Sequence, residues 1–247
     1  MQKEPGGIVL ILGSAPNVLA CRDWPRAPVD RIVAINNAWR VSPDWDFMIH
    51  PEDFPADRGP DQLAPNQRIV TATDYVPHQN ALGGFVYAGG TMAFTAGYWV
   101  LSALRPRVIA FFGCDMVYPG QTNTHFYGTG AADPLRADVT LRDLSAKSAR
   151  LMLLAAEQGC ACVNLSRRDS RLVFPRSDHS RLAAVNPVTV NRSACDAARA
   201  EEARLGYFVE SGRYWEVKDR FDPARLDRID ALWLSAHDRS TRVELAG

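Results

Sequence analysis

The sequence predicts an α/β protein with a mostly parallel, twisted sheet flanked by helices. Short β-branched apolar runs recur along the chain, and each of them stops at Gly, Asn or Pro. Helical patterns alternate with these runs, as they do where crossovers join parallel strands. The 247 residues are 47% hydrophobic, enough to bury a sizeable core.

The first half of the chain supplies most of the predicted strands. Ile8–Leu12 is apolar throughout, as expected of a strand covered on both faces, and it opens into the turn-forming segment 13–17. Arg31–Ile35 repeats this pattern and stops at Asn36. Three shorter strand candidates follow, at 47–50, 68–73 and 85–87.

The second half alternates helices with strands. Residues 91–104 form an amphipathic pattern, with Thr91 as a candidate N-cap. A strand over 108–112, a helix within 137–158 and a strand over 161–165 complete the predicted sheet.

The C-terminal part of the chain has a different composition. From about Val185, charges of both signs dominate and apolar residues recur at helical spacing. We therefore expect a single Rossmann-like domain over residues 1–185, followed by a helical C-terminal appendage or lid over 186–247.

The charge balance and the cysteine pattern exclude several classes of protein. Lys plus Arg and Asp plus Glu both number 28, so a general attraction to nucleic acid is not expected. No uncharged apolar stretch approaches the roughly 18 residues of a membrane span, so we expect no transmembrane segment and a cytoplasmic location. Peripheral contact with a membrane stays open. The five scattered cysteines are interpreted as free thiols, because no pair has C-x-x-C spacing.

Small and amide-bearing residues follow several predicted strands. Ligands of open α/β sheets bind beyond the carboxyl ends of the strands, so these residues suit contacts to a nucleotide. Each one alone is also what a tight turn requires. The 13–17 loop lacks both the G-x-G-x-x-G and the Walker A patterns, which argues against a dinucleotide oxidoreductase and a P-loop NTPase.

The order of the motifs resembles a known family. Along the chain they are GSAPN at 13–17, AINNA at 34–38, DFMIHPE at 46–52, GGTMA at 89–93, VIAFFGCDM at 108–116 and THFYG at 124–128. This order resembles the single-domain bacterial sialyltransferases of glycosyltransferase family 42. It is also similar to their relatives, the flagellin-modifying nonulosonate transferases and the archaeal hydroxymethylpterin diphosphokinases. The resemblance covers roughly residues 8–175.

The resemblance implies a nucleotide site and a catalytic group. The implied nucleotide-binding residues are Gly13, Ser14, Ala15, Asn17, Asn36, Asn37, Gly90, Thr91 and Asp115. Asn17 stands where the family has Ser. His125 is implied as the general base, although the family's histidine aligns nearer Thr129, and Tyr118 and Tyr127 are implied as supports for the leaving phosphate. The family needs no metal.

The chemistry of the reaction fits this division of roles. Transfer from a CMP-linked sugar acid needs a base for the acceptor hydroxyl and hydrogen-bond donors for the departing phosphate. A histidine suits the first role, because its ordinary pKa is about 6.5, and tyrosine hydroxyls suit the second. His50, Glu52 and Arg168 are further candidates for substrate contacts.

These observations lead to one expected function and two alternatives. We expect a metal-independent glycosyltransferase, without a cofactor, that moves a sialic-acid-like sugar from a CMP-activated donor to a glycan acceptor. The alternatives are a pterin-type diphosphokinase that uses ATP and magnesium, and a non-catalytic domain that binds a nucleotide or a glycan. The sequence leaves a homo-oligomer open.

Overall fold

The computed structural model of the chain describes residues 6–118, 124–128 and 137–246, with side chains up to Ser240. The strands are β1 Ile8–Leu12, β2 Arg31–Ile35, β3 Phe47–Ile49, β4 Arg68–Val70, β5 Val108–Phe112 and β6 Ala161–Asn164. The α-helices are α1 Ala72–Asn80, α2 Phe85–Ala88, α3 Met92–Trp99, α4 Leu144–Glu157, α5 Arg192–Leu205 and α6 Pro223–Ala246.

The six strands form one parallel sheet in the order β4-β3-β2-β1-β5-β6. β1 lies at the centre, where Leu10 is in register with Ile32 on one side and Ala110 on the other. The chain runs outward from β1 to β4 and then returns to the opposite side of β1 for β5. This arrangement confirms the predicted α/β, Rossmann-like fold class and places the topological switch point between β1 and β5.

Both faces of the sheet are buried. Successive residues of each strand point to opposite sides, so each strand contributes to two cores. Val9 and Ile11 pack into a core with the α-helices. Ile8, Leu10 and Leu12 pack into a second core on the other face. Short 3-10 turns supply much of that second cover, at Pro16–Asp23, Asn36–Arg40 and His179–Ala184.

Two predictions for the segment between β3 and β5 were wrong. Residues 85–87 form part of the one-turn helix α2 rather than a strand, because a short apolar run fits a buried helix equally well. Gly84 and Gly89, with φ of 85° and 88°, flank this helix. β4 ends at Val70 rather than at 73, because the next residue, Thr71, is the N-cap of α1. The Thr71 N–H donates to Asp74 Oδ2 at 3.0 Å.

The helix predicted to start at Thr91 is confirmed. The Thr91 hydroxyl caps α3 by accepting a hydrogen bond from the Phe94 N–H at 3.3 Å. A π-helical turn over Val100–Leu104 continues α3 toward β5. The helix predicted within 137–158 begins later, at Leu144, where the Asp143 carboxylate accepts hydrogen bonds from two backbone N–H groups.

The C-terminal segment is helical, as predicted, and it packs on the α-helical side of the sheet. α5 and α6 contact each other, and α6 also contacts α4. Two buried ion pairs join these helices, Lys147 with Asp230 at 2.7 Å and Arg150 with Glu202 at 2.8 Å.

Two further expectations concern membrane spans and cysteines. Within the described ranges, no helix combines the length and the apolar character that crossing a membrane requires. All five cysteines are free thiols, and all but Cys21 are buried.

Candidate functional site

The carboxyl ends of β1 and β5 meet at the switch point. The Gly13 N–H donates to the Phe112 carbonyl at 2.8 Å, and the Ala15 N–H donates to the Gly113 carbonyl at 3.0 Å. Gly113 adopts a positive φ of 73° and allows the two loops to pack closely. The backbone of the loops therefore forms a closed floor at the place where ligands of this fold class bind.

A cavity of about 130 Å³ lies above this floor, and we call it the smaller cavity. Its described wall consists of Gly13, Ser14, Ile35, Asn36, Thr91, Met92, Ala93, Gly113, Cys114, Met116, Tyr118, His125 and Tyr127. The structure thus brings together residues from five of the predicted motifs. Burial raises the pKa of the Cys114 thiol, with a further contribution from Asp115, so this cysteine stays protonated at the cavity wall.

The three predicted catalytic side chains lie together in the smaller cavity. The His125 ring stacks on Tyr127 with a centroid distance of 5.0 Å and lies 6.1 Å from the Tyr118 ring. His125 Nδ1 is 2.8 Å from the Thr124 hydroxyl oxygen. Thr129, where the family's histidine aligns, lies outside the described residues.

The position of His125 is fixed by its backbone. Residues 125–128 form a tight turn in which His125 and Gly128 exchange hydrogen bonds of 3.0 and 3.1 Å. The Phe126 N–H donates to the Ser14 carbonyl at 2.9 Å and attaches this turn to the loop after β1. These hydrogen bonds thereby hold His125 at a fixed position relative to the floor of the cavity.

The N-terminus of α3 forms another part of the wall. Thr91 is buried and its hydroxyl caps the helix, so this side chain is already engaged by the fold. Met92 and Ala93 line the cavity in the first turn, where helix N–H groups lack intrahelical acceptors. Such a terminus favours an anion.

Asn36 and Asn37 have different positions, although they are adjacent in sequence. Asn36 lines the smaller cavity in a left-handed conformation with a φ of 51°. Asn37 is buried behind it. The side-chain oxygens of both residues are buried and accept no hydrogen bond from the described residues.

Asp115 and Asn17 form a buried network beside the cavity. The Ser166 hydroxyl donates to Asp115 Oδ2 at 2.6 Å and accepts from the Asn17 amide at 3.1 Å. The Asn164 amide contacts the other Asp115 oxygen at 3.3 Å. This network joins the loops after β1, β5 and β6, so Asp115 braces the floor and is not part of the described cavity wall.

A larger cavity of about 530 Å³ adjoins the smaller one, and both share Asn36 and Met92. Its wall is formed mainly by the loop after β3, by α1, α2 and α3, and by the segment 211–215 of the C-terminal appendage. Its aromatic side chains are Phe54, Tyr75, Phe85, Tyr214 and Trp215. The cavity therefore lies where the appendage meets the core.

The remaining predicted site residues lie at different places. Glu52 and Gly90 line the larger cavity. His50 lies next to that wall, with its Nδ1 2.8 Å from the Pro51 oxygen and its ring against Phe54. The Arg168 side chain is exposed and lines neither cavity.

Tyr214 joins the appendage to the core. Its hydroxyl donates to Asp138 Oδ2 at 2.7 Å, while Asp138 Oδ1 accepts from the Thr140 hydroxyl at 2.7 Å. The same Thr140 oxygen accepts from the Gly90 N–H at 2.9 Å. This chain of hydrogen bonds links the wall of the larger cavity to the residue that precedes Thr91.

The sequence did not single out Tyr75, Asp138 or Arg213 as site residues. The available signal was the pair Tyr214 and Trp215, which are aromatic residues in a mainly polar segment. Arg213 contacts Glu52 at 3.2 Å across 161 residues of sequence, a proximity that local patterns do not contain.

Among the described residues, no three His, Cys, Asp or Glu side chains gather in the arrangement of a metal site. No protein-family model, curated protein or solved structure matches this chain.

Proposed function

We propose that the protein is a glycosyltransferase that moves a sugar acid from a CMP-activated donor to a hydroxyl group of an acceptor. The observation that carries this proposal is the contact of His125 with Tyr118 and Tyr127 at the switch point of the sheet. A base and two hydroxyl donors are the groups that this reaction needs at one place.

His125 would act as the general base. When its Nδ1–H donates to the Thr124 hydroxyl, Nε2 carries the lone pair that accepts a proton from the acceptor. The acceptor oxygen then attacks the anomeric carbon as the bond from that carbon to the CMP phosphate breaks. The proton ends on His125 and the negative charge on the departing phosphate.

Neutral hydrogen-bond donors of the described wall would stabilise the departing phosphate. This part of the wall contains neither lysine nor arginine. The Tyr118 and Tyr127 hydroxyls and the first N–H groups of α3 are such donors. The smaller cavity, at about 130 Å³, fits only part of a nucleotide, which would extend beyond it.

The His125→Ala substitution tests this proposal. We expect CMP still to raise the melting temperature of the variant. The His125 ring would serve as the general base and is not part of the backbone floor of the cavity. Release of CMP from CMP-activated sugar acids in the presence of glycan acceptors should fall by about 100- to 10,000-fold. His179→Ala is the matched control, because His179 packs against Trp24 on the other face of the sheet.

Other outcomes would lead to other conclusions. Normal turnover by His125→Ala would show that a different group is the base. A wild-type protein that ignores CMP but binds ATP with magnesium and releases AMP would favour the diphosphokinase. Binding of CMP or a glycan with no turnover of any donor would favour a non-catalytic domain.

A further inference from the structure

The larger cavity is a second candidate ligand site. At about 530 Å³, it lies within the range of cavities that hold small molecules. It shares Asn36 and Met92 with the smaller cavity, so a ligand bound there is a neighbour of the proposed reaction centre. Size and position therefore suit a second substrate.

The aromatic part of its wall includes an exposed ring. Trp215 is 52% exposed although it lines the cavity, and Tyr214 beside it is buried. The two rings meet edge to face, at 77° and 5.4 Å, so they do not form a two-sided clamp for a flat heterocycle. An exposed indole ring suits contact with the C–H face of a saturated ring.

The charged part of the wall disfavours an anion. Glu52 and Asp53 both line the cavity, whereas Arg213 is the one cation of its described wall. Arg213 already contacts Glu52 at 3.2 Å and Glu216 at 3.7 Å. Burial, with contributions from Glu52 and Asp53, raises the pKa of the Tyr75 hydroxyl to about 12. The one cation of the described wall is therefore already paired, beside two carboxylates.

We propose that the larger cavity binds an uncharged, hydroxyl-bearing sugar ring of the second substrate. The ring would lie on Trp215, and its hydroxyls would donate hydrogen bonds to Glu52 and Asp53, which only accept. This inference rests on the proposed function, because it assigns the acceptor of that reaction. The same inference places the sugar acid of the donor outside the larger cavity.

The test uses the full chain and saturation-transfer NMR, with and without CMP. The probes are the methyl β-glycosides of glucose, galactose and glucuronic acid, which differ in hydroxyl geometry and in charge. We expect the two neutral glycosides to bind, and the glucuronide to bind at least about tenfold more weakly. Trp215→Ala and the double substitution Glu52→Gln with Asp53→Asn should each weaken the neutral glycosides by about tenfold or more.

Two substitutions serve as matched controls. Phe208→Ala removes another exposed aromatic ring of the appendage that is not part of the cavity wall. Glu216→Gln removes a carboxylate that also contacts Arg213 but lies outside the wall. Both should leave binding of the neutral glycosides unchanged.

The outcomes separate this inference from the proposed function. CMP binding without binding of either neutral glycoside would overturn the inference and leave the proposed function standing. Glycoside binding without CMP binding would overturn the proposed function and would leave the larger cavity as a sugar site without the role of an acceptor site. Equal or tighter binding of the glucuronide, or loss of CMP binding in Trp215→Ala, would also overturn the inference, because the cavity would then hold the charged donor.

Discussion

At the scale of single residues, Gly90 shows how a backbone position can fix a distant side chain. A Cβ atom at this position would overlap the Tyr214 hydroxyl oxygen. Tyr214 is buried and its hydroxyl is bonded to Asp138, so it has little room to move. The absence of a side chain at Gly90 therefore allows the appendage to approach the start of α3.

We expect Gly90→Ala to destabilise the protein by about 1–3 kcal/mol, as overpacking of a filled interior does. The measurement is the midpoint of urea unfolding at an unchanged slope. Gly6→Ala is the control, because a Cβ at Gly6 meets no atom within 4 Å. A Gly90→Ala variant as stable as the wild type would show that Tyr214 is not held where the structure places it.

At the scale of elements, α4 carries charged residues on its buried side. Arg150 donates to Glu202 of α5 through two nitrogens, at 2.8 and 2.9 Å, and to the Tyr98 hydroxyl of α3 at 2.7 Å. Trp233 of α6 donates to the same Glu202 at 2.7 Å. Burial acts to lower the pKa of Arg150, but Glu202 and Tyr98 outweigh it, so the guanidinium stays charged.

Glu202→Gln should cost about 3–5 kcal/mol, because it leaves the buried Arg150 charge without its counter-ion. Thermal and urea unfolding at neutral pH measure this loss. The neighbouring substitution Glu201→Gln breaks an exposed pair with Arg204 and should hardly move the unfolding midpoint. Equal effects of the two substitutions would contradict the assigned role of the buried pair.

These elements also show which features the sequence could predict. β1, β2 and β5 were recognised because buried parallel strands are continuous apolar runs. His125 was selected from the family resemblance and not from the strands. Residues 85–87 were assigned wrongly because three apolar residues do not distinguish a strand from a helical turn. Arg150 and Glu202 were not recognised as core residues, since charges are expected on the surface and their pairing spans 52 residues.

At the scale of the whole molecule, the C-terminal helices belong to the core. Leu226, Ile229, Trp233 and Ala236 of α6 are buried in the same core cluster as Val9 and Ile11 of β1. The appendage also supplies Tyr214 and Trp215 to the larger cavity. The fold and the second candidate site thus both depend on the segment after residue 185.

A fragment of residues 1–185 should therefore fail to fold, whereas the full chain should unfold in one cooperative transition. Coincident far- and near-ultraviolet circular dichroism curves would establish the single transition. The fragment should show exposed apolar surface and poor dispersion of its NMR signals. A well-dispersed spectrum of the fragment would show instead that the appendage is a separate unit.

The floor at the switch point has a consequence for how such a protein diversifies. A Cβ on Gly13 would overlap the Gly113 carbonyl oxygen, and Gly113 itself has a positive φ of 73°. These two positions therefore tolerate almost no substitution. The floor is made of backbone atoms, so its surface stays the same whatever the neighbouring side chains are. New ligand preferences would have to arise at the rim and at the exposed positions of the 211–215 segment, which are Ser211, Arg213 and Trp215, because Gly212 and Tyr214 are buried. A saturation-mutagenesis map should therefore show that Gly13 and Gly113 tolerate almost no substitution, whereas the rim and the exposed positions of the 211–215 segment tolerate many.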